Sequence, residues 1–422
     1  MPLIASLAYA QSSPPRTYGP DPKLPPPQPA KVKNFSKAGK WPPNAAPKAP
    51  AGFTVTRFAE GLVSPRWLYV LPSGDVLAAE ASTKPKPPKT EEDKEKQRLL
   101  EQAGNIRPSA DRITLLRDGD GDGVAEHRTV LLSGLNQPLG MLWLDQQLYV
   151  ANTDGILRFP WDGKQTPITA RGQKILNLPA GGYNNHWTRN LIANKEGTKI
   201  YVSVGSASNA AEHGMAEEVR RANILEISPD GSGERIFASG LRNPNGMDWQ
   251  PGTNTLWTAV NERDNIGDNL VPDYITSVRD GGFYGWPWSY FGRNVDDRVQ
   301  PQRPHLVQKA IVPDFALGAH TASLGLVFYT GSTLPERYRG GMFVGQHGSW
   351  NRSEFSGYKV VFVPFRNGRP TQPVEDFLTG FLANPQTGET YGRPVGVAVD
   401  LAGALLVADD TADIIWRVTA AK

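Results

Sequence analysis

A histidine and several arginine and amide side chains stand just before short apolar segments of the chain. In YNNHWTRNL (183–191), His186 heads such a segment, where a neutral imidazole could remove a proton from a hydroxyl group. Arg189 follows in the same segment, and the equivalent positions of the other segments hold Arg66, Gln137, Arg242, Asn243, His320 and Arg393. Brought together, these guanidinium and amide groups would bind an anionic, polar ligand. The alternatives are a structural role for His186 at a turn and separate surface positions for the arginines.

A second group of chemically active residues is the acidic run RDGDGDGVAE (117–126). It places carboxylates at alternate positions and then adds a fourth, a pattern that wraps a hard cation in a tight loop. The four are Asp118, Asp120, Asp122 and Glu126. RITLLR and HRTVLLS on either side favour strands, so we expect a Ca²⁺-binding hairpin rather than an EF-hand. The alternative is a polar turn that uses Asp and Gly for left-handed backbone.

The composition excludes many other kinds of chemistry. The chain has 422 residues, no Cys and six His, which excludes disulfides, thiolate metal sites, iron–sulfur clusters and cysteine nucleophiles. Its 45 Lys and Arg against 42 Asp and Glu leave a net charge of +3, too little to indicate nucleic acid as a partner. No apolar run reaches the ~18–20 residues of a membrane span. The sequence contains no P-loop, dinucleotide-binding or GxSxG motif.

The candidate residues at the segment starts lie in an internal repeat. In each copy a turn leads to an apolar strand, a polar turn and a second β-rich strand. The copies span 64–80, 137–153, 186–206, 243–262, 320–349 and 392–410. With 43 Gly and 37 Pro to make turns, the six hairpins predict an all-β, six-bladed β-propeller of four-stranded antiparallel blades. The strand starts would meet at one end of the central channel, and the isolated strand 53–59 would complete the last blade.

Shorter segments precede and interrupt this predicted domain. Residues 1–10 are apolar and end in Ala8-Tyr9-Ala10, which indicates a shortened secretory signal cleaved after Ala10 and a periplasmic or secreted protein; a disordered tail is the alternative. Residues 11–50 are rich in Pro and Lys and predict an extended arm. The propeller would occupy 51–422. Its charged insertion 83–103 predicts a solvated helix from about Thr90 to Gln102, or else a docking site.

Nine motifs follow one another between about Phe53 and Val418. They are NNHWTRNL, YVSVGSASN, ASGLRNPNGMDW, NERDNIGDNLVPDY, GGFYGWPW, HTASLGLVFY, GQHGSWNR, GYKVVFVPF and YGRPVGVAVD. In this order they resemble the glucose/sorbosone dehydrogenase family, and within it the L-sorbosone and pyranose dehydrogenases. The resemblance implies a six-bladed propeller that oxidises an aldose or a related, sorbosone-like sugar. It also implies pyrroloquinoline quinone (PQQ) as the cofactor, held by Ca²⁺.

The resemblance further implies roles for individual residues. His186 would be the base that takes the sugar hydroxyl proton while hydride passes to the quinone, and Arg242 would stabilise charge on the quinone oxygen. Together with the strand starts, the motifs mark as cofactor-binding Arg189, Arg242, Asn243, Asn261, Arg352, Arg393 and Gln137. The backbone carbonyls of Glu262 and Arg263 would bind the Ca²⁺. Asn185 stands where the glucose enzyme of the family has an Asp, so the usual orienting carboxylate is missing or comes from elsewhere.

Two other functions remain open from the sequence. A propeller lactonase would need carboxylates around a central metal, and a non-catalytic propeller would bind carbohydrate or a protein partner. The strand starts carry His, Arg and Asn rather than such carboxylates. A dehydrogenase of this kind also requires an external electron acceptor, which would be a cytochrome, a quinone or a dye.

Overall fold

The fold consists almost entirely of β-strands. The structure, a computed structural model, describes residues 17–28 and 32–421, so the predicted signal segment 1–10 lies outside the described residues. Within the described ranges, the helical segments are helix α1 (Glu91–Gln102), helix α2 (Pro304–Lys309) and the 3₁₀ turns Met215–Glu218 and Glu336–Tyr338. None of these has the length and apolarity that a membrane crossing requires. The all-β prediction is therefore confirmed.

Six four-stranded antiparallel sheets hold most of the described strands, and each begins with one of the six hairpins predicted from the repeat. Sheet 1 consists of the strands Pro65–Val70, Val76–Glu80, Arg112–Arg117 and His127–Leu132. Sheet 2 consists of Met141–Leu144, Gln147–Asn152, Gly155–Pro160 and Gln173–Asn177. Sheet 3 consists of Arg189–Ala193, Ile200–Val204, Asn223–Ile227 and Arg235–Ser239. Sheet 4 consists of Pro244–Trp249, Leu256–Val260, Pro272–Val278 and Phe315–Ala319. Sheet 5 consists of Ser323–Phe328, Met342–Gln346, Lys359–Val363 and Glu375–Leu378. Sheet 6 consists of Pro394–Val399, Leu405–Asp409, Ile414–Ala420 and Phe53–Glu60.

The first strand of each sheet is its inner strand. Each inner strand contacts that of the next sheet in chain order, and the inner strand of sheet 6 contacts that of sheet 1. Glycines allow this approach: a Cβ on Gly246 would lie 2.6 Å from the Leu324 carbonyl oxygen, and one on Gly396 would lie 2.6 Å from the Arg66 carbonyl oxygen. The residues that precede the inner strands are therefore gathered in one region.

The hydrophobic core is divided among the spaces between the sheets. In the described part of the chain, six clusters of buried apolar side chains each join two successive sheets. One of them joins the last sheet to the first, with Leu68 and Ala78 of sheet 1 beside Leu406 and Ile415 of sheet 6. Both faces of each sheet are covered in this way, which explains why the hairpins are short apolar runs flanked by turns.

Sheet 6 unites the two ends of the repeat region. Phe53 lies opposite Ala420 and Glu60 lies opposite Ile414 in an antiparallel ladder. The isolated strand predicted at 53–59 is thus the outer strand of the last sheet, as expected. Because this pairing joins segments more than 350 residues apart in sequence, it restrains the largest chain loop of the fold.

Short segments outside the four-stranded units cover their edges. Two of the remaining strands extend a sheet: Tyr18–Gly19 lies at the edge of sheet 4 and Gly282–Phe283 at the edge of sheet 3. The others form three small ladders. Glu389–Thr390 pairs with Lys37–Ala38 and Leu382–Asn384, Ser289–Tyr290 pairs with Asn294–Val295, and Phe365–Arg366 pairs with Arg369–Pro370. Helix α1 lies in the charged insertion of sheet 1. Its N-cap is Thr90, whose Oγ1 accepts a hydrogen bond from the Asp93 amide at 3.1 Å while the Asp93 carboxylate accepts one from the Thr90 amide at 3.0 Å. The helix predicted in the insertion is therefore confirmed.

Candidate functional site

A polar cavity of about 210 Å³ lies beside the starts of the inner strands. From the positions identified in the sequence it is lined by Arg66, His186, Arg242, Asn243, Asn261, His320 and Arg393. Further lining residues include Thr83, Asn105, Asn185, Asn245, Asp264, His347, Trp350 and Asn351. Residues from five of the six sheets, or from the turns that lead into them, thus meet around one small volume. Their guanidinium, imidazole and amide groups suit a small, polar, anionic ligand.

His186 is held in one tautomer. Its Nδ1 lies 2.9 Å from the carbonyl oxygen of Ser206 and 3.0 Å from the Ser206 hydroxyl oxygen. A carbonyl oxygen only accepts, so Nδ1 carries the proton and Nε2 keeps its lone pair. Burial, with a further contribution from the Arg242 charge, lowers the pKa of His186 to about 3. The imidazole is therefore neutral near pH 7 and can act as a base.

Glu218 organises the loop that holds His186. The Ser206 hydroxyl donates to the Ser208 carbonyl oxygen at 2.6 Å, and the Ser208 hydroxyl donates to Glu218 at 2.5 Å. The same carboxylate accepts from the amides of Ala207 at 2.7 Å and Ser208 at 3.0 Å. The group that orients His186 is thus the backbone carbonyl of Ser206, since Asn185 supplies no carboxylate. The buried Glu218 carboxylate fixes the loop that carries this carbonyl.

Arg242 forms a second wall of the cavity. Its Nε donates to the Asn209 carbonyl oxygen at 3.1 Å, and its terminal nitrogens approach the Asn261 carbonyl oxygen at 3.2 Å and the Asp264 carboxylate at 3.3 Å. Asp264 also accepts from the Asn351 amide at 2.6 Å. Burial would raise the pKa of Asp264, but His320 and Arg242 outweigh it and hold this pKa at about 2. The wall therefore presents a fixed cation next to a fixed anion.

His347 and Asp410 form a third polar group at the cavity. His347 Nε2 lies 2.9 Å and 3.0 Å from the two Asp410 oxygens, and Arg66 donates to the same carboxylate at 2.5 Å. Arg393 donates to the His347 carbonyl oxygen at 2.9 Å and bonds Asn105 Oδ1. Burial, and then the Arg393 charge, lowers the pKa of His347 to about 4. This second imidazole is thus also neutral near pH 7.

Three of the residues marked as cofactor-binding lie outside the lining of this cavity. Arg189 is fully buried and donates to the carbonyl oxygens of His186 at 2.7 Å and Pro179 at 2.7 Å. Gln137 donates to the Ser82 carbonyl oxygen at 2.9 Å, and Arg352 donates to Asn269 at 3.1 Å. Their polar groups shape the loops around the cavity rather than its surface.

Glu262 and Arg263 are joined to each other by their side chains. Arg263 Nε donates to Glu262 at 3.0 Å, and another of its nitrogens donates to Asp296 at 3.0 Å. Both side chains are buried and neither lines the cavity. They anchor the loop that follows Asn261. The predicted calcium role concerned their backbone carbonyls, and it stays a prediction.

The acidic hairpin lies apart from the cavity, between the third and fourth strands of sheet 1. Ligand oxygens of Asp118, Asp120, Asp122 and Glu126 all lie within 4.8 Å of one another. The flanking strands Arg112–Arg117 and His127–Leu132 agree with those predicted. The carboxylates also accept backbone hydrogen bonds, such as Gly121 N to Asp118 at 2.8 Å. The grouping is compatible with the predicted Ca²⁺ site and with a polar turn.

Asp410 is a site residue that sequence reasoning missed, and Asp264 and His347 are site residues to which the sequence analysis assigns no role. Asp264 directly follows Arg263 in NERDN, so its motif was visible. Asp410 ends an inner hairpin, where nothing distinguishes it from a polar turn residue. Its place in the site becomes visible only through its hydrogen bond with His347, 63 residues away in the sequence.

Comparisons with known proteins show what this chain is similar to. The family model described as Glucose / Sorbosone dehydrogenase matches residues 150–354, and one described as TrAA12-like matches 303–421. An uncharacterized protein of Borreliella burgdorferi is 30% identical over 294 residues, which cover 67% of this chain and 76% of that protein. The pyrroloquinoline quinone-dependent pyranose dehydrogenase of Coprinopsis cinerea is 25% identical over 61% of this chain, which spans only 43% of that protein. The holo form of its PQQ domain superposes with a TM-score of 0.71 at 20% identity, over 91% of this chain and 100% of that chain.

Proposed function

The chain belongs to the glucose/sorbosone dehydrogenase family, and we propose that it oxidises an aldose or a related, sorbosone-like sugar with PQQ as its cofactor. The observation that carries the proposal is the cavity in which the neutral His186 stands beside Arg66, Arg242 and Arg393. One group can take up a proton and the others can hold an anion. A quinone-dependent dehydrogenase needs both.

The lining residues fit PQQ. When bound, PQQ supplies an electrophilic ortho-quinone that accepts hydride, and it carries three carboxylates. Guanidinium groups form strong, charge-assisted hydrogen bonds with carboxylates. The side-chain oxygen of Asn243 is buried without a hydrogen-bond partner, so it is free to accept from a ligand. Arg66, Arg242, Arg393, Asn243 and Asn261 would hold the cofactor.

Calcium enters the proposal at two places. The carbonyls of Glu262 and Arg263 follow Asn261 in an anchored loop, and Asp264 adds a carboxylate to the cavity lining. This loop would bind the Ca²⁺ that accompanies PQQ. The hairpin 117–126 would bind a separate, structural Ca²⁺.

Removal of the substrate proton is assigned to His186. Its Nε2 would take the proton of the sugar hydroxyl, and the Arg242 guanidinium would stabilise negative charge that develops beside it. An anionic ligand near Arg242 offsets the charge that lowers the pKa of His186. Ligand binding would therefore remove the part of the lowering that the Arg242 charge causes, whereas burial, the larger cause, would remain.

The proposed architecture is a closed, six-bladed propeller of residues 51–422, preceded by the arm 11–50. Support comes from the ordered contacts between inner strands and from the apolar cluster that joins sheet 6 to sheet 1. A periplasmic or secreted location and an external electron acceptor, a cytochrome, a quinone or a dye, complete the proposal.

A lactonase is disfavoured by the lining of the cavity. A hydrolytic metal centre needs several carboxylates, and the lining formed by the described residues includes one, Asp264. A non-catalytic propeller is disfavoured by His186, whose tautomer leaves Nε2 unprotonated at the cavity.

Reconstitution tests the proposed function. Metal-stripped protein is titrated with PQQ with and without Ca²⁺, and cofactor absorbance is followed as aldoses and sorbosone are added with an artificial acceptor. We expect Ca²⁺-dependent, stoichiometric PQQ binding and reduction by at least one sugar. His186→Gln should bind PQQ but lose ~10²–10⁴-fold in sugar oxidation, whereas the exposed His127→Gln should not. Unchanged turnover in His186→Gln refutes the base, and failure to bind PQQ refutes the cofactor.

A further inference from the structure

The charged insertion of sheet 1 is part of the cavity wall. We use the name strap for residues 83–105. Thr83 and Asn105, at its two ends, both line the cavity. Thr83 Oγ1 accepts a hydrogen bond from Trp187 Nε1 at 3.0 Å, and Asn105 Oδ1 bonds Arg393. The strap therefore leaves the cavity, forms helix α1 and returns to the cavity.

Two lysines of the strap rest on aromatic rings, of which one, Trp350, lines the cavity. Lys86 Nζ lies 4.3 Å from the ring centroid of Tyr183, three residues before His186. Lys96 Nζ, on helix α1, lies 5.7 Å from the ring centroid of Trp350, which lines the cavity. Cation–π contacts of this kind hold the ammonium groups near the cavity instead of leaving them free in solvent.

These two lysines differ from their neighbours because they form no ion pair. Lys84, Lys94 and Arg98 pair with carboxylates at 3.2, 2.6 and 2.7 Å. In the part of the chain that the structure describes, neither Lys86 nor Lys96 has a carboxylate within ion-pair distance. Hydrogen bonds lower the pKa of Asp93, one turn before Lys96, and the Lys96 charge adds to this.

Other charged groups of both signs lie near these two lysines. Burial lowers the pKa of Lys86, and the nearby charges of Lys96 and Arg221 lower it further. Arg221 donates to Asn184 at 2.6 Å and to the Gly181 carbonyl oxygen at 3.2 Å. Glu217 and Glu218 offset the charge of Arg221. An anion placed between Lys86 and Lys96 would relieve their repulsion.

We propose that the strap selects the substrate, and that Lys86 and Lys96 bind the negative group of an anionic sugar, a carboxylate as in a uronic acid or a phosphate. This inference rests on the proposed function, because it concerns the sugar that the same cavity oxidises. The oxidised carbon of the sugar lies toward His186, and its charged end lies toward the two lysines. A neutral sugar leaves both ammonium groups without an ion-pair partner.

The experiment compares sugars that differ only in charge, using the holoenzyme reconstituted with PQQ and Ca²⁺. The substrates are glucose, glucuronate and glucose 6-phosphate, and the readout is the ratio of kcat/KM for each anionic sugar to that for glucose. We expect a ratio above one that falls with added salt and drops roughly 10-fold for each of Lys86→Gln and Lys96→Gln. The two anionic sugars distinguish carboxylate from phosphate as the bound group.

Lys89→Gln is the matched control. Lys89 lies on the same strap, is exposed and contacts no ring at the cavity, so its substitution should leave the ratio unchanged. Equal ratios in the wild type and in the two lysine variants overturn the proposal. So does a loss of PQQ affinity in these variants without a change in the ratio, because the lysines would then serve the cofactor.

A second measurement separates this proposal from the proposed function. If none of the three sugars reduces the cofactor, oxidation of this sugar class fails, but binding can still be measured by calorimetry on the PQQ-loaded protein. Tighter binding of glucuronate or glucose 6-phosphate than of glucose, lost in the double variant, supports the strap as the selecting element. Equal binding of all three sugars overturns it.

Discussion

Substitution of Glu218 by Gln should impair the chemical step without removing any group from the cavity. The Glu218 carboxylate accepts three hydrogen bonds, from the amides of Ala207 and Ser208 at 2.7 Å and 3.0 Å and from the Ser208 hydroxyl at 2.5 Å. These bonds fix the loop whose Ser206 carbonyl orients His186. Glu218 is thus a positioning residue, since it acts through the loop.

The magnitude follows from the hydrogen bonds that Gln cannot make. Its carboxamide has one acceptor oxygen, and its NH₂ group would face the backbone amide of Ala207 or Ser208. At least one buried amide loses its partner, and the remaining bonds lose their charge assistance. At ~1–3 kcal/mol for such a loss, the free energy of unfolding should fall by about 2–4 kcal/mol. Loss of a group that orients a catalytic residue typically costs ~10–100-fold, and we expect a fall of that size in kcat.

The assay is steady-state kinetics of the reconstituted protein, together with urea unfolding. We expect kcat to fall while KM and the dissociation constant for PQQ change little. Asp400→Asn is the control: Asp400 also uses both of its carboxylate oxygens, accepting from Ala404 N at 2.8 Å and from Arg417 Nε at 2.8 Å, away from the cavity. It should lose similar stability and keep kcat. Equal loss of kcat in both variants, or none in Glu218→Gln, would refute the reasoning.

Three further predictions concern stability. Arg263→Met should lower the free energy of unfolding in urea by about 3–5 kcal/mol, because it leaves the buried Glu262 carboxylate unpaired. Arg220→Met, in the exposed Arg220–Glu234 pair, is the control and should cost under ~1 kcal/mol. Equal losses in the two variants would contradict this prediction. Burial raises the pKa of Asp248 to about 6, so its stabilising contribution is complete below about pH 4 and is lost as the pH rises through about 6. Asp248→Asn should therefore gain about 2–3 kcal/mol relative to wild type between pH 4 and pH 7, and parallel pH profiles would disprove the assignment. Asp120→Asn should reduce the Ca²⁺-dependent rise in Tm, and an undiminished rise would exclude the acidic hairpin as a Ca²⁺ site.

Local patterns predicted much of the fold. The six hairpins, the strand at 53–59, helix α1 and the acidic hairpin between two strands all follow from short stretches of sequence, because alternation, turn residues and capping act over a few neighbours. The repeat also predicted that the strand starts meet, and Arg66, His186, Arg242, Asn243, His320 and Arg393 do line one cavity. Repetition carries this information because equivalent positions in equivalent hairpins face the same region.

The division of labour within the site was decided by tertiary structure. Arg189 and Arg242 both lie at the start of an inner strand. Arg189 donates its hydrogen bonds to the backbone carbonyls of His186 and Pro179, whereas Arg242 lines the cavity. The group that orients His186 is a backbone carbonyl, which every residue has and which no side-chain pattern can reveal. The contact of His347 with Asp410 links segments 63 residues apart, as only the assembled sheets can do. The sequence thus determined which side chains reach this region, and packing between distant segments determined which of them are left facing the cavity.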